Sequence, residues 1–119
     1  MQNNYLLESE STVLIKDCID KIIKKNGFDD ATISSYDLEE VLIDNALEDI
    51  DTYSFLSSKK VIIIKNLFLE KDDKKIQHLL KYIDNPNKDN LLIITTDKID
   101  SRLVLSKKLT KSKNITYKK

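Results

Sequence analysis

Apolar residues follow two different spacings along the chain, and the switches between them predict the elements. Tyr5–Leu7 is a short apolar run, read as a first strand. Leu14, Ile15, Cys18, Ile19, Ile22 and Ile23 then recur in pairs every four residues, the stripe of an amphipathic helix. Lys24 and Lys25 suit the negative end of its dipole, and Asn26-Gly27 is a stop signal. Ala31–Tyr36 reads as a second, weaker strand. Leu38, Val41, Leu42, Ala46, Leu47 and Ile50 return to helical spacing, with Asp37 as a possible cap and a break expected near Asp44-Asn45.

Val61–Ile64 are four consecutive β-branched residues flanked by lysines. They fit a central strand, Lys60–Lys65, covered on both faces. Ile76, Leu79, Leu80 and Ile83 mark a third helix, ended by Asn85-Pro86-Asn87. Leu91–Thr96 reads as a fourth strand. A helix opening at Asp100-Ser101 carries Leu103, Val104, Leu105 and Leu109, and Ile115–Tyr117 reads as a fifth strand. Strands alternating with helices predict an α/β fold of three layers: a five-stranded, mostly parallel sheet with helices on both faces.

Composition narrows the function classes. With 119 residues and a 40% apolar share, the chain suffices for one domain with a real core. Twenty basic residues balance twenty acidic ones, so no overall field argues for nucleic-acid binding. The lysines near the end, including Lys107, Lys108, Lys111, Lys113, Lys118 and Lys119, are read as a solvated face that could also meet an acidic surface or nucleic acid. No segment resembles a signal peptide, and no apolar run approaches the ~20 residues of a membrane span. A soluble intracellular protein, without membrane association, is expected. Cys18, the single cysteine, is read as a buried thiol.

Catalytic options thin quickly. Phosphate-binding loops use several glycines, and this chain has one, Gly27. After the first strand stand Glu8-Ser9-Glu10-Ser11, whose carboxylates would repel a triphosphate. After the third stand Lys65 and Asn66, where a nucleotide hydrolase needs acids to hold Mg²⁺. A receiver-like phosphoacceptor fails for the same reason. Glu8, Asp97 and Asp100 could form a Mg²⁺ cluster of the Toprim phosphoryl-transfer or nuclease type, but their spacing departs from that pattern. The plainer reading has Glu8 and Glu10 serving a helix N-terminus and Asp100 capping the last helix. His78 has no second His or Cys at ligand spacing. No catalytic residue, metal or cofactor is expected.

The stretch before the central strand offers another chemistry. Tyr53, Phe55 and Leu56 are the large apolar groups in a segment otherwise rich in serine and lysine. They either cover the sheet edge, in a generic α/β interaction domain, or face a partner.

The ordered set Tyr5-Leu6-Leu7-Glu8-Ser9-Glu10, Tyr53-Ser54-Phe55-Leu56 before Ser57-Ser58-Lys59-Lys60, Leu80–Pro86, and Asp97–Arg102 resembles the N-terminal domain of the bacterial DNA polymerase III delta subunit, part of the clamp loader. The resemblance implies an AAA+-like fold lacking a functional nucleotide site. It implies a domain that binds the sliding clamp (the beta subunit) and helps open the ring for loading onto primed DNA. By position, the clamp contact falls on Tyr53, Phe55 and Leu56, with a Phe-Leu order where the better-known version has Leu-Phe. Other clamp-loader subunits would be met through lid and collar domains, so residues 1–119 are expected to be one N-terminal domain of a longer chain. DNA would be met indirectly or in the full complex. The resemblance further implies an accessory subunit of a DNA-directed DNA polymerase in the bacterial cytoplasm, without ATPase activity of its own.

Overall fold

The computed structural model describes residues 3–51, 59–68, 74–99 and 102–118, with residues 104 and 105 described by backbone alone. Its elements are β1 (Asn4–Glu8), α1 (Thr12–Lys25), β2 (Thr32–Asp37), α2 (Ile43–Asp51), β3 (Lys60–Lys65), α3 (Lys74–Asp84), β4 (Asn90–Thr96), α4 (Val104–Lys111) and β5 (Thr116–Lys118). The five strands form one sheet in the order β2-β3-β4-β1-β5, and every ladder is parallel.

The strand order dictates the layers. The connection from β1 to β2 crosses the sheet in one direction, whereas those from β2 to β3, β3 to β4 and β4 to β5 step the other way. Crossovers of one hand then place α1 on one face and α2, α3 and α4 on the other. The period of two along each strand supplies both cores. Leu6, Ile62, Ile64, Leu92 and Ile94 meet Ala46, Leu47 and Ile50 of α2, Ile76, Leu79 and Ile83 of α3, and Leu109 of α4. On the opposite face Tyr5, Leu7, Val61, Ile63, Leu91 and Ile93 meet Ile19 and Ile22 of α1, with Phe28 beside them. The continuous aliphatic runs are buried because both of their faces are covered.

Three local expectations change. The helical spacing through Leu38–Leu42 does not produce helix. Asp37 captures the backbone instead: its carboxylate accepts from Glu39 N–H (3.0 Å) and its carbonyl from Glu40 and Val41 N–H (2.9 Å each). A turn results, α2 begins at Ile43 rather than breaking near Asp44-Asn45, and Leu42 is left exposed. Along α1, Leu14 is exposed and Cys18 half-buried, not a fully buried thiol, because the helix meets the sheet along a narrow seam centred on Ile19 and Ile22. Glu8 does not serve the α1 N-terminus. Ser11 does, its Oγ accepting from Leu14 N–H at 3.2 Å. Among the described residues, no helix is long and apolar enough to cross a membrane.

Candidate functional site

Ligands of parallel sheets bind beyond the strand C-termini, where successive crossovers diverge. Here that point lies between β1 and β4. A groove of ≈ 610 Å³ runs from it along α1, with Ile15, Ile19 and Ile63 in its floor and Glu10, Lys65, Asn66 and Asp97 at its rim. Several polar groups at the strand ends beside it are committed to the fold. Glu8 is buried, accepting from Ile99 N–H at 3.2 Å and from the Tyr117 hydroxyl. Burial, reinforced by the Glu8 carboxylate, pushes Tyr117 up to about 12. Thr96 donates its hydroxyl to Leu67 C=O at 2.8 Å, and Ser9 N–H donates to Thr96 C=O at 3.0 Å.

Asn66, with a left-handed φ of 61°, donates from Nδ2 to Asp37 at 2.7 Å. That bond, followed by the one from Glu39 N–H, holds the Asp37 carboxyl below its usual range. Thus Glu8, Asn66 and Thr96 tie strand ends together. Among the described residues, no three His, Cys, Asp or Glu side chains are grouped to hold a metal ion.

At the opposite end of the strands, α2 ends and β3 begins. Residues 52–58, which contain Tyr53, Phe55 and Leu56, run between them and lie outside the described residues, as do Asp100 and Ser101. The flanks are fastened on both faces. Lys60 Nζ donates to the Asp49 carboxylate (2.8 Å) and to Asp49 C=O (2.6 Å), joining the first residue of β3 to the last turns of α2. Tyr36 of β2 donates its hydroxyl to the same carboxylate at 2.5 Å. Burial pushes Asp49 up, but the bonds from Lys60 and Tyr36 outweigh it and hold the carboxyl below its usual range. The same site pushes Tyr36 up to about 12, burial first and the Asp49 carboxylate second.

On the other face, Lys59 Nζ lies 5.1 Å from the centroid of the buried Phe28 ring, a cation–π contact. His78 of α3 is exposed and meets Asp51 at 2.8 Å where α2 ends. Sequence reasoning missed the Tyr36–Asp49–Lys60 triad and the Lys59–Phe28 contact. The flanking lysines at 59 and 60 were the available signal: consecutive residues entering a strand point to opposite faces, so each must find its own partner.

These features define an all-parallel, three-layer α/β domain with a segment between α2 and β3 held at both ends. Residues 5–118 match the family described as DNA polymerase III, delta subunit, and the chain belongs to that family. It is similar to the DNA polymerase III subunit delta of Bacillus subtilis (strain 168), at 29% identity over 119 residues, covering 90% of this chain and 34% of that protein. It is similar in structure to the Bacillus subtilis DNA clamp loader delta protein, with a TM-score of 0.73 and 26% identity over 99% of this chain and 38% of that one. The chain thus spans roughly a third of the length of these relatives.

Proposed function

We propose that this chain is the clamp-contacting domain of a clamp-loader delta subunit in DNA replication. Tyr53, Phe55 and Leu56 enter an apolar pocket of the sliding clamp. The observation that carries the proposal is family membership over residues 5–118, combined with the fastening of both ends of the segment that bears this trio. Fully burying a Phe or Leu side chain is worth about 1.5–3 kcal/mol, so two or three such anchors can dominate an interface. Holding the flanks rigid limits the ordering cost of binding.

Ring opening then requires only that the segment bind a distorted clamp edge better than the closed one. Primed DNA is met in the full complex, and other loader subunits are met through further domains of a longer chain, of which residues 1–119 form the N-terminal one. The protein works in the bacterial cytoplasm.

The domain is AAA+-like and nucleotide-blind. The all-parallel sheet with helices on both faces supports the first part. The commitment of Glu8 to Ile99 and Tyr117, and of Asn66 to Asp37, supports the second, because the groups where a hydrolase would hold Mg²⁺ and phosphate are used structurally. Hydrolysis belongs to neighbouring subunits, and this chain is no enzyme by itself.

Titration of the chain against a purified sliding clamp tests the contact. The Phe55→Ala/Leu56→Ala double variant should bind at least about 2 kcal/mol more weakly, roughly 30-fold, with an unchanged urea midpoint. Loss of folding in that variant would assign the pair to the core instead. Calorimetric titration with ATP and Mg²⁺ should give no saturable heat; a saturable isotherm would return the chain to the nucleotide-binding class.

A further inference from the structure

We infer that the groove beside α1 docks an amphipathic helix of a partner protein, apolar on the side it buries and flanked by lysine or arginine. The crossovers leave the two faces of the sheet unequally covered. Helices α2, α3 and α4 pack on one face, and α1 packs on the other. Strands about 4.8 Å apart make a sheet of this strand number roughly 20 Å wide, whereas one helix is about 10–12 Å across. The core under α1 draws on β1, β4 and β3, and the strip over β2 stays open. Ile33, in register with Val61 on that face, is 51% exposed. Parallel sheets are ordinarily covered on both faces, so an open apolar strip is a place for an occupant.

The groove of ≈ 610 Å³ follows this strip. Ile15, Ile19 and Ile23, one turn apart along α1, line it together with Ile63 and Ile33 of the sheet. Its floor offers side chains alone, because β3 is bonded to β2 on one side and β4 on the other. An occupant must therefore satisfy its own backbone, which a helix does and an extended peptide does not. A strand of 6 residues such as β3 spans about 20 Å, the length of a helix of about 14 residues.

The rim sets the charge of that helix. Glu10, Asp20, Asp37 and Asp97 stand around the groove against Lys16 and Lys65. Glu10, Asp20 and Asp97 are exposed and enter no ion pair among the described residues, so their charges are available to a partner's lysines or arginines. The same excess of carboxylates disfavours an acidic helix. The inference rests on neither the family nor the clamp contact.

Titration of the isotopically labelled chain with a synthetic peptide, followed by amide chemical shifts, tests it. The probe is an end-capped peptide of about 14 residues, with leucines every three or four positions and lysines on both sides of that stripe. Saturable shifts are expected along α1 and β2, with affinity falling as salt is added. Ile33→Thr should weaken binding more than about threefold by removing apolar contact. Asp20→Asn/Asp97→Asn should weaken it by about as much, flatten the salt dependence, and serve alone if circular dichroism shows Ile33→Thr misfolded. Phe68→Ser removes an exposed aromatic that lines a different cavity, and should leave affinity within about twofold.

The proposal would be overturned by an absence of saturable shifts, or by shifts centred away from α1 and β2. Equal affinity for the same peptide with glutamates in place of lysines would also overturn it, as would equal affinity for an isomer with its leucines scattered around the helix. Sedimentation showing that the chain alone self-associates, and that Ile33→Thr abolishes this, would assign the groove to a second copy instead.

Discussion

Asp49 shows how much of this fold depends on single polar groups. Its carboxylate receives Tyr36 and Lys60 from two neighbouring strands, with side chains of Lys60 and Asp49 only 16% and 21% exposed. Hydrogen bonds to a charged group contribute about 1.5–3 kcal/mol each way they are removed, so Asp49→Ala should cost about that much in urea unfolding at neutral pH. Because the folded carboxyl is held below its usual range, the contribution is present above an unfolded carboxylate pKa of about 4 and fades as pH falls below it. The gap between wild type and variant should therefore narrow at about pH 3.

The tyrosines behave oppositely. Tyr36 and Tyr117, each pushed up to about 12, contribute stability that is whole below their unfolded value of about 10 and lost as pH rises toward 12. Ultraviolet titration of the native chain should show these two ionising late, and Tyr36→Phe should remove one late step.

Among the elements, the buried strands were the most legible in sequence. Val61–Ile64 and Leu91–Ile94 read as buried strands, and they occupy the middle of the sheet. β2 gave a weaker signal because an edge strand keeps one flank wet, and Ile33 there remains 51% exposed. Ile62→Ala should cost about 2–5 kcal/mol and Ile33→Ala under about 1 kcal/mol, a contrast that urea midpoints would resolve. If the two cost the same, β3 would not be the covered strand described above.

The start of α2 was misread because spacing carries no information about which backbone groups a nearby Asp will take. Asp37 took three N–H groups and made a turn. Glu8 misled for a related reason. Beside serines it resembles a cap, while its partner Tyr117 lies 109 residues away and only the closed sheet brings them together.

For the whole molecule, the fold class was readable from alternating apolar spacings and the family from ordered short motifs, whereas the groups that fasten the ends of 52–58 were not, since each joins residues distant in sequence. The chosen contact residues, Tyr53, Phe55 and Leu56, stand outside the described residues, so the clamp titration of the Phe55→Ala/Leu56→Ala variant bears directly on them.

β3 is bonded along its length to β2 on one side and β4 on the other, and Lys59 and Lys60 clasp its entrance. Traction on the preceding segment would therefore run along the strand axis and load both ladders in shear, many bonds resisting together, instead of unzipping them singly. On the clamp-contact reading proposed above, the domain would transmit such force to a ring without its own sheet coming apart.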